Sequence, residues 1–232
     1  MYFLSNDAPE QFNRLTNIPE GVMKYNSVEA SFDKRFSNGW QLGGSVNFSK
    51  ATGNYPVGYA SWASFGNFSS ANSFVNRYGE LPYSRPILVK LYGTFSFPYQ
   101  IMFSFFYRHT DGSPWGRTVT VRPPEDWAAA NNASTASYSI YVEPPGTYRN
   151  ESSDSLDVRL EKDFNLGPGK LGIYMDVFNL LGAYTLNVAQ NPGGTWRPAD
   201  ENTTEGTYTV GSTGLRGFAG SRQFRFSLFY RF

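Results

Sequence analysis

Cysteine is absent. That removes disulfide frameworks, thiolate zinc sites and thiol nucleophiles together. It says little about compartment, because a chain without thiols suits reducing and oxidising surroundings alike. Histidine occurs once, at His109, so a metal centre or a Ser-His-Asp triad would have to be built around that single ring. Its place between a strand and a loop reads better as an ordinary rim residue. Charge of one sign is lacking too. Twenty Lys and Arg stand against 19 Asp and Glu, a net +1, and nothing in that balance points to nucleic acid. No apolar run reaches the roughly 18 residues a membrane helix needs. The opening MYFLSNDAPEQF has neither the basic segment nor the continuous apolar stretch of a secretory leader. Charged residues make up 17%, well below the roughly 25% of ordinary soluble domains.

What the sequence has in quantity is alternation. VEASFDKRF sets Val28, Ala30, Phe32 and Phe36 on one face against Glu29, Ser31, Asp33 and Arg35, with Lys34 breaking the apolar side. Asn38-Gly39, a favoured type I′ pair, makes a tight turn. WQLGGSVNFSK then alternates Trp40, Leu42, Gly44, Val46 and Phe48 with Gln41, Gly43, Ser45, Asn47 and Ser49. The same period of two recurs in ILVKLYGTFSF, IMFSFFYRH, SLDVRLEKDF, KLGIYMDVFN and the terminal FRFSLFYRF. This predicts seven long strands over about residues 25–36, 40–50, 86–97, 101–109, 154–164, 170–179 and 222–232. Their connections alternate strictly. Tight turns fall near residues 37–39, 98–100 and 165–169, and long loops over roughly 51–85, 109–153 and 180–220. Within the loops RTVTVR and SIYVE read as a hairpin, with TYTVG as a further strand, and DWAAANNAS as a short helix.

Globular strands are typically about 5–6 residues long. Strands crossing an outer membrane run about 9–11 residues, with short periplasmic turns on one rim and long extracellular loops on the other. In hydrocarbon every backbone polar group must be bonded within the protein, so a sheet survives there only if closed. Side chains of one parity then meet lipid and those of the other meet a polar lumen. The expected fold class is therefore all-β, an antiparallel transmembrane outer-membrane β-barrel segment of about seven long strands. Aromatic residues Phe36, Trp40, Phe97, Tyr99, Phe164, Tyr230 and Phe232 gather at strand ends, as interfacial girdles do. Lys34 and Lys162 fall on the apolar parity, each two residues before a strand-ending Phe, where a lysine can snorkel to the headgroups.

The last run, with Phe224, Phe226, Leu228, Tyr230 and Phe232 on one parity, resembles the C-terminal signal by which the barrel-assembly machinery recognises bacterial outer-membrane barrels. YNSVEASFDKRFSNGWQLGGSVNFSK and SLDVRLEKDFNLGPGKLGIYMDVFNLLG are similar to hairpins in the C-terminal barrel of TonB-dependent receptors, especially the Oar-like branch. Asp176, Val177, Asn179 and Leu180 match the D-V-x-N-L run usual before the final strand there. Leu181-Gly182 stand where the family commonly has another Asn.

The resemblance implies the C-terminal part of a TonB-dependent transporter over residues 1–232, with 1–22 the remnant of an extracellular loop. It implies barrel wall, extracellular loops and assembly signal, located in the cell outer membrane of a Gram-negative type bacterium. The implied partners are outer-membrane lipid, the barrel-assembly machinery, an N-terminal plug and further barrel strands outside this chain, and TonB through that missing part. No cofactor, metal, catalytic residue or nucleic-acid partner is expected. Asp157, Glu161 and Asp163 come with Arg159 and Lys162 and read as a polar lumen wall rather than an acid–base pair. Trp115, Arg117, Arg122, Trp127 and Trp196 in the long loops are candidate ligand contacts. Two rivals remain. One is a standalone small outer-membrane barrel acting as adhesin or structural porin. The other is a secreted carbohydrate-binding β-sandwich, in which two apolar sheet faces would have to pack together.

Overall fold

The computed structural model describes residues 5–7, 21–54, 71–134, 137–182, 184–188, 194–197, 207–210, 215–219 and 221–232. These are mostly antiparallel β-structure with one short α-helix, Glu125–Ala130. Seven long strands form one sheet in chain order: Met23–Ser37, Trp40–Gly53, Ile87–Phe97, Ile101–Thr110, Ser153–Leu166, Gly169–Phe178 and Gln223–Arg231. They are called first to seventh below. Every neighbouring pair is antiparallel. Among the described residues the first and seventh strands each pair with only one of the other long strands, so the sheet is open.

Several strands run past their predicted limits. Pairing in the first hairpin spans Met23↔Gly53 to Ser37↔Trp40, leaving only Asn38 (φ 54°) and Gly39 (φ 84°) in the turn. Positive φ at both residues is the type I′ geometry that Asn-Gly adopts at least cost. The fifth and sixth strands pair down to Leu166↔Gly169, so the broad turn expected over 165–169 contracts to Gly167 and Pro168. The sixth strand stops at Phe178 because Asn179 turns left-handed (φ 51°), a conformation Asn tolerates better than most residues.

The register carries the two faces across the whole sheet. One row reads Trp40, Phe95, Phe103, Leu160, Met175, Phe226; the row beside it reads Leu42, Gly93, Phe105, Val158, Val177, Phe224. Rings of Trp40 and Phe95 stack at 6.4 Å, and those of Phe95 and Phe105 at 6.3 Å. Among the described residues much of this apolar face is uncovered: Val28, Phe32, Phe48, Phe226 and Leu228 are all more than half exposed. The opposite face carries Asp33, Lys90, Arg108, Asp157, Arg159, Asp176 and Arg225. Buried apolar side chains outside the sheet lie beyond its loop end, at Leu81, Val121, Ala128 and Ala133. In the seven-stranded sheet itself Ala51, Tyr174 and Val177 are the buried hydrophobics among the described residues.

The register also slopes. In the row Trp40–Phe103–Met175 the residue is the first of the second strand, the third of the fourth and the seventh of the sixth, counted from the turn end. Six residues of drift over four strand spacings is about 20 Å along the strands against about 19 Å across them, a slope of about 45°. Strands of closed barrels tilt by about 35–45°.

The loop end is built from secondary structure of its own. Thr118–Val121 pairs antiparallel with Tyr138–Tyr141, the expected hairpin, and parallel with Gly194–Arg197, which pairs with Thr207–Val210. Tyr184–Val188 pairs with Leu215–Ala219, and Pro114–Trp115 with Tyr148–Arg149. Of the expected loop remnant at 1–22, Ser5 bridges to Ala133, and Val22 receives the amide of Asn54 at 3.0 Å. The remainder, residues 1–4 and 8–20, lies outside the described residues.

Candidate functional site

The D-V-x-N-L run sits where the last three strands meet. Asp176 is 3% exposed and lies between two guanidinium groups. Arg159 Nε donates to Asp176 Oδ1 at 2.5 Å from the fifth strand, and Arg225 Nε donates to Asp176 Oδ2 at 2.7 Å from the seventh. The register Arg159↔Asp176↔Arg225 places all three directly opposite one another. A carboxylate between two cations meets both charges at once, so the pair of charge-assisted bonds ties three strands together. Val177 is buried on the apolar face, and the Arg225 guanidinium lies over the Phe178 ring at 5.1 Å. The Asn179 amide donates to Asp157 Oδ1 at 2.8 Å, and the Leu180 amide to the Leu156 carbonyl at 2.7 Å. The motif residues thus anchor the final hairpin and turn the chain out of the sheet.

The terminal strand docks on the sixth over Phe178↔Gln223 to Lys170↔Arg231. Its other edge pairs with no strand among the described residues. Phe224, Phe226, Leu228 and Tyr230 stand on the apolar face at 62%, 71%, 69% and 44% exposure, and Phe232 follows the strand fully exposed. The structure therefore presents these five side chains together on one accessible edge. Tyr230 also donates its hydroxyl to the Leu166 carbonyl at 3.1 Å, holding the strand end against the turn.

The two lysines on the apolar face have a shared solution. Lys34 Nζ lies 3.7 Å from the Trp40 ring centroid and donates to the carbonyls of Ser37 and Trp40 at 3.1 and 3.0 Å. Lys162 Nζ donates to the Tyr99 carbonyl and lies 5.2 Å over the Phe164 ring. Each ammonium bends to a tight turn, where peptide carbonyls and an aromatic face replace water.

At the opposite end His109 Nδ1 lies 2.9 Å from Asp154 Oδ1, and Nε2 lies 3.4 Å from Asp111 Oδ1. Asp154 also accepts from the Tyr107 hydroxyl at 2.5 Å, and Asp111 Oδ2 from the Ile87 amide at 2.9 Å. Among the described residues no serine hydroxyl joins this set, and no group of three His, Cys, Asp or Glu is arranged to hold a metal ion. The cluster laces three strands at the rim of the apolar face.

The candidate loop contacts do not converge on one point. Trp115 stacks on Tyr148 at 4.6 Å, with its Nε1 buried and unpaired. Arg117 grips Glu143 through Nε and Nη2 at 3.0 and 2.9 Å and lies over Tyr148 at 5.7 Å. Those side-chain hydrogen bonds from Arg117 hold the Glu143 carboxyl pKa below its ordinary value. Arg122 is exposed beyond Val121, and Trp127 is 44% exposed on the short helix. Trp196 faces Val121 in the backbone register, and its side chain lies outside the described residues. Sequence reasoning missed the clamp beneath these loops. Arg149 Nη2 pairs with Glu80 Oε2 at 2.5 Å, and Glu80 also accepts from the buried Ser84 hydroxyl at 3.0 Å. Ser84 in turn receives the amide of Ala51 at 3.3 Å. Arg149 and Glu80 are 69 residues apart, and no local pattern marks such a pair.

No helix among the described residues is long and apolar enough to cross a membrane, which says nothing of strands. No family model matches the chain, and no curated protein matches it.

Proposed function

We propose that this chain forms part of the wall of an outer-membrane β-barrel, the C-terminal arc of a TonB-dependent receptor of Oar-like type. In this reading it supplies barrel wall, extracellular loops and the strand read by the barrel-assembly machinery, and it performs no catalysis itself. The observation that carries the reading is the uncovered apolar face, continuous through the register of all seven strands. Water penalises such a surface in proportion to its area; hydrocarbon does not. A sandwich would cover it with a second sheet, and no second sheet packs on it among the described residues. The slope of the register and the separation of tight turns from long loops favour a barrel arc. The two open edges are unpaired backbone that lipid cannot satisfy, so the arc calls for further strands to close it. TonB and a plug would act through those further parts, and the transported solute would be a bulky one.

The test is an immunoblot of outer membranes from the source organism with an antibody against this chain. A band several times its mass in that fraction supports the receptor reading. A band at the chain's own mass there points instead to a small self-sufficient barrel, and recovery in the aqueous phase refutes the membrane reading.

A further inference from the structure

On the polar face, one register row is unlike the others. It reads Ser31, Ser45, Lys90, Arg108, Ser155 across the first five strands. Lys90 and Arg108 are cross-strand partners in the middle of the sheet, both exposed. Like charges directly opposite destabilise a strand pair. Among the described residues neither cation has a carboxylate within ion-pair distance, and none of the three serine hydroxyls makes a side-chain hydrogen bond.

The two rows nearer the turns are internally satisfied. Two steps nearer the turns, Gln41 Nε2 donates to Thr94 Oγ1 at 3.2 Å, and Thr94 and Ser104 hydroxyls bond at 3.1 Å. In that same row Arg159 and Arg225 share Asp176. The carboxylates of the intervening row are committed elsewhere: Asp33 accepts from the Tyr92 hydroxyl at 3.4 Å, and Asp157 from the Asn179 amide. The other like-charged pair, Lys170 opposite Arg231, lies at a turn, and Arg231 donates to the Tyr174 hydroxyl.

From this we infer that Lys90, Arg108 and the flanking Ser45 and Ser155 form an anion subsite that takes a phosphoryl group of a solute. Two adjacent cations match a dianion in charge, the guanidinium supplies a planar donor pair, and the serines supply further O–H donors. A single carboxylate would neutralise only half of the pair. The subsite lies on the loop side of the sheet, where Lys90 and Arg108 are both exposed. It depends on the sheet alone, so it stands or falls separately from the membrane reading.

The test uses the full chain refolded in detergent micelles, with thermal unfolding followed against inorganic pyrophosphate at constant ionic strength set with sodium chloride. The wild-type midpoint should rise and level off as pyrophosphate saturates the site. Lys90→Gln and Arg108→Gln should each weaken the apparent affinity on the order of tenfold, the loss of one charge-assisted contact. Without pyrophosphate, Lys90→Gln should unfold at a higher temperature than wild type, because the repulsion is gone. Lys170→Gln should respond to pyrophosphate as wild type does. An unchanged wild-type midpoint, or equal rises in wild type and Lys90→Gln, overturns the assignment. A saturable response to a glutamate-rich peptide and none to pyrophosphate also overturns it, and gives the row to a polypeptide carboxylate instead.

Discussion

Leu160 offers a direct test of what the apolar face meets. It lies midway along the fifth strand, is 44% exposed, and has Phe103 and Met175 as cross-strand partners on the same face. If that face meets lipid, Leu160→Arg places a guanidinium near the middle of the hydrocarbon, at a cost of about 2–4 kcal/mol. That is a loss of roughly 30- to 700-fold in the folding equilibrium. If the face meets water, the same change removes a half-exposed leucine and adds a solvated arginine, which shifts stability by about 1 kcal/mol at most. Met102→Arg is the control. Met102 lies on the polar face of the fourth strand, directly opposite Glu161, where an arginine gains a partner. Urea unfolding of each variant in lipid vesicles, followed by tryptophan fluorescence, gives both values. Equal stability of Leu160→Arg and Met102→Arg would refute the assignment of lipid to the apolar face.

Asp176→Ala should lower stability by about 2 kcal/mol, because two arginines lose a shared acceptor while their exposed ends can still reach water; urea midpoints measure it. Asn179→Val should cost about 1 kcal/mol relative to Asn179→Gly, since a β-branched residue resists the left-handed backbone at φ 51°. The Arg117–Glu143 clamp should depend on pH. Arg117 lowers the Glu143 pKa on folding, so its contribution is present above the unfolded pKa and is lost as pH falls through the folded one. The chemical shift of the Arg117 amide, which donates to Glu143 Oε1 at 2.8 Å, should follow that titration, and an acid-insensitive shift would refute the clamp. Deleting Phe232 should reduce the amount of protein recovered in outer membranes while leaving the refolded sheet's stability nearly unchanged, because Phe232 extends past the last paired residue.

Much of the sheet was legible because a period of two is a local property. Alternation of Val28 through Phe36 or Trp40 through Phe48 needs no knowledge of distant residues, and Asn38-Gly39 announces its turn through backbone sterics alone. The strand ends were less legible, since pairing continues past the alternating core, as it does to Leu166 opposite Gly169. The motif Asp176 could be marked from the chain, but its reason could not. It faces Arg159 and Arg225, 17 and 49 residues away, and only the register brings them into one row. The same holds for Glu80 with Arg149, and for Lys90 opposite Arg108. Of the loop residues, sequence grouped Trp115, Arg117, Arg122, Trp127 and Trp196 by type, whereas the fold gathers Trp115 and Arg117 on the Tyr148 ring and leaves Trp127 on its helix.

By itself, then, the sequence determined which side chains share a face, where the tight turns fall and which connections are long, because each follows from neighbours along the chain. The tertiary structure alone decided the slope of the register and the pairing of charges across strands. Those depend on which residues meet after the chain has doubled back, and hydrogen-bond register between distant strands leaves no trace in local pattern.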